Sequence, residues 1–244
     1  MRSLPTSISE NDVRVRESLR PLLERVRERP VFLVDGDRTL TPEDTSRTFL
    51  EAGGLDPMTI KARFKQDGYV FDAFRFHAEV HLRLGEDTFA ALAPTVAARV
   101  RLYDGAAEFL HEASRRALVV VVSAGIPRVW RSLVERCGIG DVPVFGGIDP
   151  SNPFVFGRRE KGLVTDLFRE RASSVIGIGD SDVDTEMLLR AHHAVVVVNH
   201  RQNEDLVPYL LQHPSLWQVV PQGAAHNGIR TIAFSSLAHI LDDL

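Results

Sequence analysis

Two periodicities alternate along this chain of 244 residues. Uninterrupted apolar runs, rich in β-branched residues, occur at Val31–Val34, Leu118–Val122, Val175–Ile178 and Ala194–Val198. Runs of that length with no polar alternation predict strands covered on both faces, as in a parallel sheet flanked by helices. Between them apolar residues recur at helical spacing, which predicts helices over 105–116, 127–137, 161–171, 182–191 and 203–212. A charged amphipathic helix is predicted over 10–29, with Val15, Leu19, Leu22, Leu23 and Val26 on one face and Pro30 as its stop. A short extended piece near Val142–Phe145, an edge strand over Trp217–Val220 and a final helix near 236–243 complete the alternation.

Residues 41–103 interrupt it. They hold no clear strand but helical stretches at about 43–52, 57–66, 70–84 and 86–100, punctuated by Gly53-Gly54, Asp67-Gly68 and Gly85. The expected fold is therefore α/β: a doubly wound, mainly parallel sheet from 31–40 and 104–244, with an inserted α-helical unit of 41–103. Residues 1–30 form an N-terminal helical extension.

Composition narrows the class. The chain is 44% hydrophobic and 25% charged with a formal net charge of −4, values of an ordinary globular protein. Acids and bases are interspersed, so nucleic acid and membrane surfaces are not expected partners. No apolar run reaches the length of a spanning helix, and the N-terminus lacks a signal-peptide core, so a cytoplasmic enzyme is expected. The single cysteine, Cys137, excludes an intrachain disulfide and a cysteine-based zinc site, and it reads as a packing residue.

The candidate chemistry sits where the first apolar run ends, at Asp35-Gly36-Asp37-Arg38-Thr39. Two acids at the mouth of a buried strand repel one another in a low dielectric. A hard cation such as Mg²⁺, which prefers oxygen ligands, would relieve that cost. One Asp could then act as nucleophile while the other moves protons. Three further motifs follow: Ser123-Ala124-Gly125 after the second run, Lys161-Gly162 opening a helix, and Gly179-Asp180-Ser181-Asp182-Val183-Asp184 after the third run. In a parallel α/β sheet, groups at strand carboxyl ends gather at one edge, where ligands bind. Residues up to 149 positions apart (184 − 35) are therefore expected to converge.

In order, type and strand-end placement these motifs resemble the haloacid dehalogenase superfamily in its phosphatase branch, with phosphoserine-phosphatase-like forms. The family pattern is D-x-D-x-T, then Ser or Thr, Lys, and G-D-x-x-x-D. The resemblance covers about residues 31–200 and implies a Rossmann-like core with 41–103 as a small cap. It implies Asp35 as nucleophile, forming an aspartyl-phosphate, and Asp37 as acid and base. It also implies Mg²⁺ held by Asp35, the backbone carbonyl of Asp37 and Asp180, with Asp184 supporting that shell. The phosphoryl oxygens would be held by Ser123, Lys161 and the backbone N–H groups near Gly36, Ala124 and Gly125. Thr39 would steady the nucleophile loop. Asp182 reads as a helix cap, and His192-His193 as a surface pair complementing a helix end. His77 and His81, spaced i, i+4, have zinc-compatible spacing but no third ligand.

The cap should choose the substrate, a small-molecule phosphomonoester. Phosphoserine phosphatases pair the serine carboxylate with a cap arginine just ahead of a V-x-L-L-like stretch. Laid on Val80-His81-Leu82-Arg83-Leu84, that position is Glu79, with Arg83 or Arg75 as substitutes. The acidic residue with which such caps open falls near Glu43 or Asp44. Because Asp37 is an acid, which dehalogenases of the family lack at that position, phosphoryl transfer from oxygen is expected. A phosphomutase or phosphotransferase using the same Asp pair is the alternative, and a non-catalytic binding protein is a third class. Monomer and homodimer both stay open.

Overall fold

The computed structural model describes residues 3–199 and 203–243. In chain order the elements are helix α1 (Ile8–Leu23), strand β1 (Val31–Val34), the inserted helices α2 (Thr45–Ala52), α3 (Met58–Asp67), α4 (Phe71–Leu82) and α5 (Gly85–Ala97), and helix α6 (Ala106–Arg116). Then come β2 (Leu118–Val122), α7 (Pro127–Arg136), β3 (Val144–Phe145), α8 (Arg158–Arg169), β4 (Val175–Gly179), α9 (Thr185–Arg190), β5 (His193–Val197), α10 (Val207–Leu210), β6 (Leu216–Val219) and β7 (Arg230–Thr231). All seven strands are parallel, in the order β3-β2-β1-β4-β5-β6-β7. Strands are thus added leftward from β1 to β3 and rightward from β4 to β7, so the strand order reverses between β1 and β4, the switch point at which α/β sheets bind ligands.

The apolar strands divide their side chains between two cores, as pleating requires. Phe32, Val34, Val119, Val121, Ile176, Ile178, Val195 and Val197 face one side, with Phe109, Trp130 and Leu133. Val31, Leu33, Val120, Val122, Val175, Ala194 and Val196 face the other, with Val15, Leu19, Val164, Phe168 and Leu188. Burial on both faces is why these runs carry no polar alternation.

The insertion is only partly a body of its own. Phe49, Phe89, Ala93, Val96 and Ala97 belong to the first sheet-facing core. Leu50, Ile60 and Val80 form a small separate cluster with Leu55, Phe64 and Phe76 packed around it.

Helix α1 packs on α8 and ends at Leu23, six residues before the predicted Arg29. Arg27 and Glu28 turn the chain with φ of 44° and 61°, incompatible with a right-handed helix, although Val26 stays buried. Asn11, on α1, is fully buried. Its amide donates to the Val155 carbonyl at 3.0 Å and to Glu160 at 3.4 Å, while its oxygen accepts from the Val155 N–H at 2.8 Å. The helical extension therefore braces the segment that leads into α8.

Other boundaries also differ from expectation. Helix α8 begins at Arg158, so Lys161 lies inside its first turn and does not open it. The predicted helix over 203–212 is reduced to α10, because Asn203, at φ 56°, turns its amide to the carbonyls of Asp180 and Val197. The strand near Trp217 is not an edge, since Arg230–Thr231 pairs outside it. The final helix, Phe234–Asp243, is 3₁₀. Among the described residues no helix is long and apolar enough to cross a membrane.

Candidate active site

Strand β1 continues its register one residue past its end, where the Asp35 N–H donates to the Ile178 carbonyl at 2.9 Å. This fixes Asp35 at the carboxyl edge between β2 and β4. The chain then turns sharply: the N–H groups of Thr39 and Leu40 both bond the Gly36 carbonyl, and Arg38 takes a φ of 63°. A Cβ at Gly36 would overlap the Trp130 indole, so only glycine fits at that point of the turn.

Lys161 is 1% exposed and bridges two carboxylates, with Nζ 2.5 Å from Asp35 Oδ1 and 2.5 Å from Asp184 Oδ1. The second Asp184 oxygen accepts from the backbone N–H groups of Asp180 and Ser181, each at 3.1 Å, and from the Ser181 hydroxyl. The Thr39 hydroxyl lies 3.2 Å from Asp35 Oδ2 and 3.1 Å from Asp180 Oδ1. Asn199 donates to the other Asp180 oxygen at 2.7 Å.

Carboxylate oxygens of Asp35, Asp180 and Asp184 lie within 4.8 Å of one another, and all three residues are buried. One ammonium against three carboxylates leaves a buried negative excess. Burial, and the charge of Asp184, push Asp35 up to about 6 even against Lys161. Burial and the charges of Asp184 and Asp35 raise Asp180 well above the carboxylate range. Burial alone would lower Lys161, but Asp184 and Asp35 hold it above the ordinary lysine range. All-oxygen donors with unspent negative charge fit a hard dication such as Mg²⁺. Asp35 and Asp180 would hold it, with Asp184 tying them to Lys161.

Asp37 is held apart from this cluster by different partners. Its Oδ1 accepts from Trp130 Nε1 at 3.1 Å and Thr45 Oγ1 at 2.6 Å. Its Oδ2 accepts from the backbone N–H groups of Thr45 at 3.1 Å and Ser46 at 3.4 Å. These are first-turn donors of α2, left free by helix geometry and capped at Arg47 by the Asp44 carboxylate. Burial, then the Asp44 charge, push Asp37 up to about 7 in spite of these donors.

Ser123, at the end of β2, is 1% exposed and accepts the Gly125 N–H at 3.1 Å. A Cβ built on Gly125 would stand 3.3 Å from Asp37 Oδ2, 3.3 Å from Ser123 Oγ and 3.6 Å from Ser46 Cβ. Without a side chain at Gly125, the core loop after β2 and the first turn of α2 approach one another closely.

Of the predicted residues, the structure thus brings together Asp35, Asp37, Ser123, Gly125, Lys161, Asp180 and Asp184 at one sheet edge. Glu43 instead accepts from the Thr41 hydroxyl, and Asp44 caps α2 and pairs with Arg38 at 2.7 Å. Glu79 is paired with Arg75 at 2.8 Å, and Arg83 is exposed at the end of α4. Asp182 pairs with Arg158 and accepts from Thr185, while Ser181 caps the short 3₁₀ turn Asp182–Asp184. His192 and His193 are not a surface pair. His192 accepts the Val175 N–H at 2.9 Å, and His193 bonds Ser215 Oγ at 2.7 Å. His77 and His81 both direct Nε2 to Ser46 Oγ, each at 3.1 Å.

Thr45, Ser46, Trp130, Asn199 and Asn203 were not singled out in the sequence. Thr45-Ser46 after Asp44 carries a helix-start signature, whereas Trp130 looks like any apolar position of α7.

A sequence comparison with curated proteins finds no match. Among solved structures, a phosphoserine phosphatase with a phospho-aspartyl intermediate analogue aligns with a TM-score of 0.54 and 16% identity, over 78% of this chain and 93% of that one. A protein of unknown function from Bordetella pertussis Tohama I gives 0.61 and 15%, over 84% and 99%. A haloacid dehalogenase family hydrolase from Salmonella enterica serovar Typhi gives 0.60 and 16%, over 98% and 82%. The family model for haloacid dehalogenase-like hydrolases matches residues 32–189, a span that holds Asp35, Asp37, Ser123, Lys161, Asp180 and Asp184. The chain belongs to the haloacid dehalogenase-like hydrolases.

Proposed function

We propose that the protein is a Mg²⁺-dependent phosphomonoester hydrolase acting on a small metabolite. The observation that carries this reading is the contrast between its two strand-end acids. Asp35 is bonded to an ammonium, as a nucleophile kept ionised should be. Asp37 is bonded to neutral donors and pushed up to about 7, the range in which a group both gives and takes protons near neutrality. A dehalogenase would have no use for the second acid, because halide leaves without a proton.

In the proposed sequence an Asp35 carboxylate oxygen attacks phosphorus in line, and the bond to the ester oxygen breaks. Asp37 gives its proton to that oxygen, so the leaving group departs as an alcohol. Asp37, now ionised, takes a proton from a water that attacks the aspartyl-phosphate, which regenerates Asp35 and releases inorganic phosphate. Lys161, the Ser123 hydroxyl and the backbone N–H groups around Gly36 and Ala124-Gly125 offset the charge on the phosphoryl oxygens. Bound Mg²⁺ supplies the positive charge that lets phosphate approach three carboxylates. Trp130 and the first turn of α2 aim Asp37 at the space over Gly125.

The test is release of inorganic phosphate from a panel of phosphomonoesters, with Mg²⁺ and with EDTA, by wild type and by Asp35→Asn. Metal-dependent release that the substitution abolishes is the expected result. No release from any ester by a folded, Mg²⁺-loaded protein overturns the reading.

A further inference from the structure

We infer that Ser46, backed by His77 and His81, selects a phosphomonoester whose leaving group donates hydrogen bonds and carries no carboxylate. This rests on the phosphomonoester hydrolase reading above and concerns the cap side of the same site.

The argument begins at Gly125. Whatever departs from phosphorus must receive its proton from Asp37, so it must come within reach of Asp37 Oδ2, which with Ser123 Oγ flanks the space beside Gly125. Ser46 Cβ bounds that same space at 3.6 Å from the Gly125 Cβ position, which makes Ser46 the nearest inserted-helix residue to a leaving group there.

The polarity of Ser46 is set behind it. His81 Nδ1 lies 2.9 Å from the His77 carbonyl, closer than Nε2 lies to the Ser46 carbonyl at 3.3 Å, so Nδ1 carries the proton and Nε2 is left as an acceptor. One proton arrangement then satisfies the trio: His77 Nε2–H donates to Ser46 Oγ, and the Ser46 hydroxyl donates to His81 Nε2. The Ser46 proton is spent, and its oxygen keeps a lone pair for a further donor. His77 Nδ1 is then a second bare acceptor, buried without a hydrogen-bond partner among the described residues. Both imidazoles are held neutral by burial. The trio therefore accepts hydrogen bonds and offers no positive charge.

A carboxylate on the leaving group would need a cation, and the inserted helices commit theirs elsewhere. Arg38 is paired with Asp44, Arg47 with Glu51, Arg63 with Asp67 and Arg75 with Glu79, at 2.7 to 2.8 Å. Lys61, Lys65, Arg83, Arg99 and Arg101 lie on the exposed surface, and none is a hydrogen-bond partner of Ser46, His77 or His81. The fixed charge that acts on Asp37 from this side is the Asp44 carboxylate. A hydroxyl or ammonium finds acceptors here, whereas a carboxylate meets lone pairs and a negative charge.

The test compares two ester pairs that differ in the carboxylate: O-phosphoethanolamine with O-phosphoserine, and glycerol 3-phosphate with 3-phosphoglycerate. The Mg²⁺-loaded wild type is expected to show kcat/KM about tenfold higher for the carboxylate-free member of each pair. A ratio below about threefold in both pairs, or a preference for the carboxylates, overturns the inference. A preference in one pair alone supports it and tells the ammonium source of donors from the hydroxyl source. The Ser46→Ala variant is expected to bring the ratio down by at least about threefold, because the acceptor is gone. If that variant does not fold, the wild-type ratios still decide. Hydrolysis of p-nitrophenyl phosphate with none of the four esters turned over overturns the leaving-group assignment alone. No hydrolysis of p-nitrophenyl phosphate either overturns the hydrolase reading and this inference with it.

Discussion

Replacing Lys161 by methionine keeps the length of the side chain and removes the one ammonium among three buried carboxylates. Both ion pairs, each 2.5 Å long, are lost at once. Removing one partner of a buried pair leaves uncompensated charge and costs about 3–5 kcal/mol, a large share of the roughly 5–15 kcal/mol that holds a domain folded. The loss should depend on pH with a definite sign. Burial already pushes Asp35 up to about 6 from its ordinary 3.8, and without Lys161 it and Asp180 rise further. In that range the folded protein binds more protons than the unfolded chain, so stability falls as pH rises, by about 1.4 kcal/mol per proton per pH unit. Urea unfolding of wild type and Lys161→Met in EDTA should therefore give a larger difference at pH 8 than at pH 5, by about 1–3 kcal/mol. Mg²⁺ should recover part of it. A deficit under about 1 kcal/mol at pH 8, or one equal at both pH values, would refute the reasoning.

Two further outcomes follow from groups outside the cluster. Asn11→Ala strips the Val155 N–H and carbonyl and Glu160 of a buried partner, so it should cost about 1–3 kcal/mol in urea unfolding, although it lies on a helix remote in sequence. His77 and His81 are held below their ordinary value of 6.5, so unfolded chains take up protons first. Stability should fall as pH drops below 6.5, and a His77→Leu, His81→Leu double variant should show a shallower decline in thermal melts between pH 6.5 and 5.

The central strands and the acids at their ends were legible because both are local signals. Val31–Val34 and Leu118–Val122 are apolar throughout since each is covered twice, and the carboxylates follow at once. Elements shaped by contacts were not legible. Arg230–Thr231 is a strand only because Trp217 and Gln218 present backbone groups to it, and Arg230 and Thr231 are themselves exposed, with no apolar pattern to mark them. Helix 203–212 shrinks to α10 because Asn203 takes a left-handed φ of 56° while its side-chain amide bonds two buried carbonyls. The same holds in the site: Trp130 is apolar in pattern, and its role lies in a single N–H that reaches Asp37 from 93 positions away.

The order of the sheet also governs when the site can exist. Asp35 is made long before its charge partners, because Lys161 follows it by 126 positions and Asp180 lies 141 positions beyond Thr39. The pairing of β1 with β4 must await the same distant residues. During synthesis the acids of the first motif therefore remain hydrated and separate, and their mutual repulsion arises only in the step that also delivers the ammonium. A chain of this topology can close its most costly cluster only once β4 has joined β1, so the repulsion among these acids never acts without its counterweight.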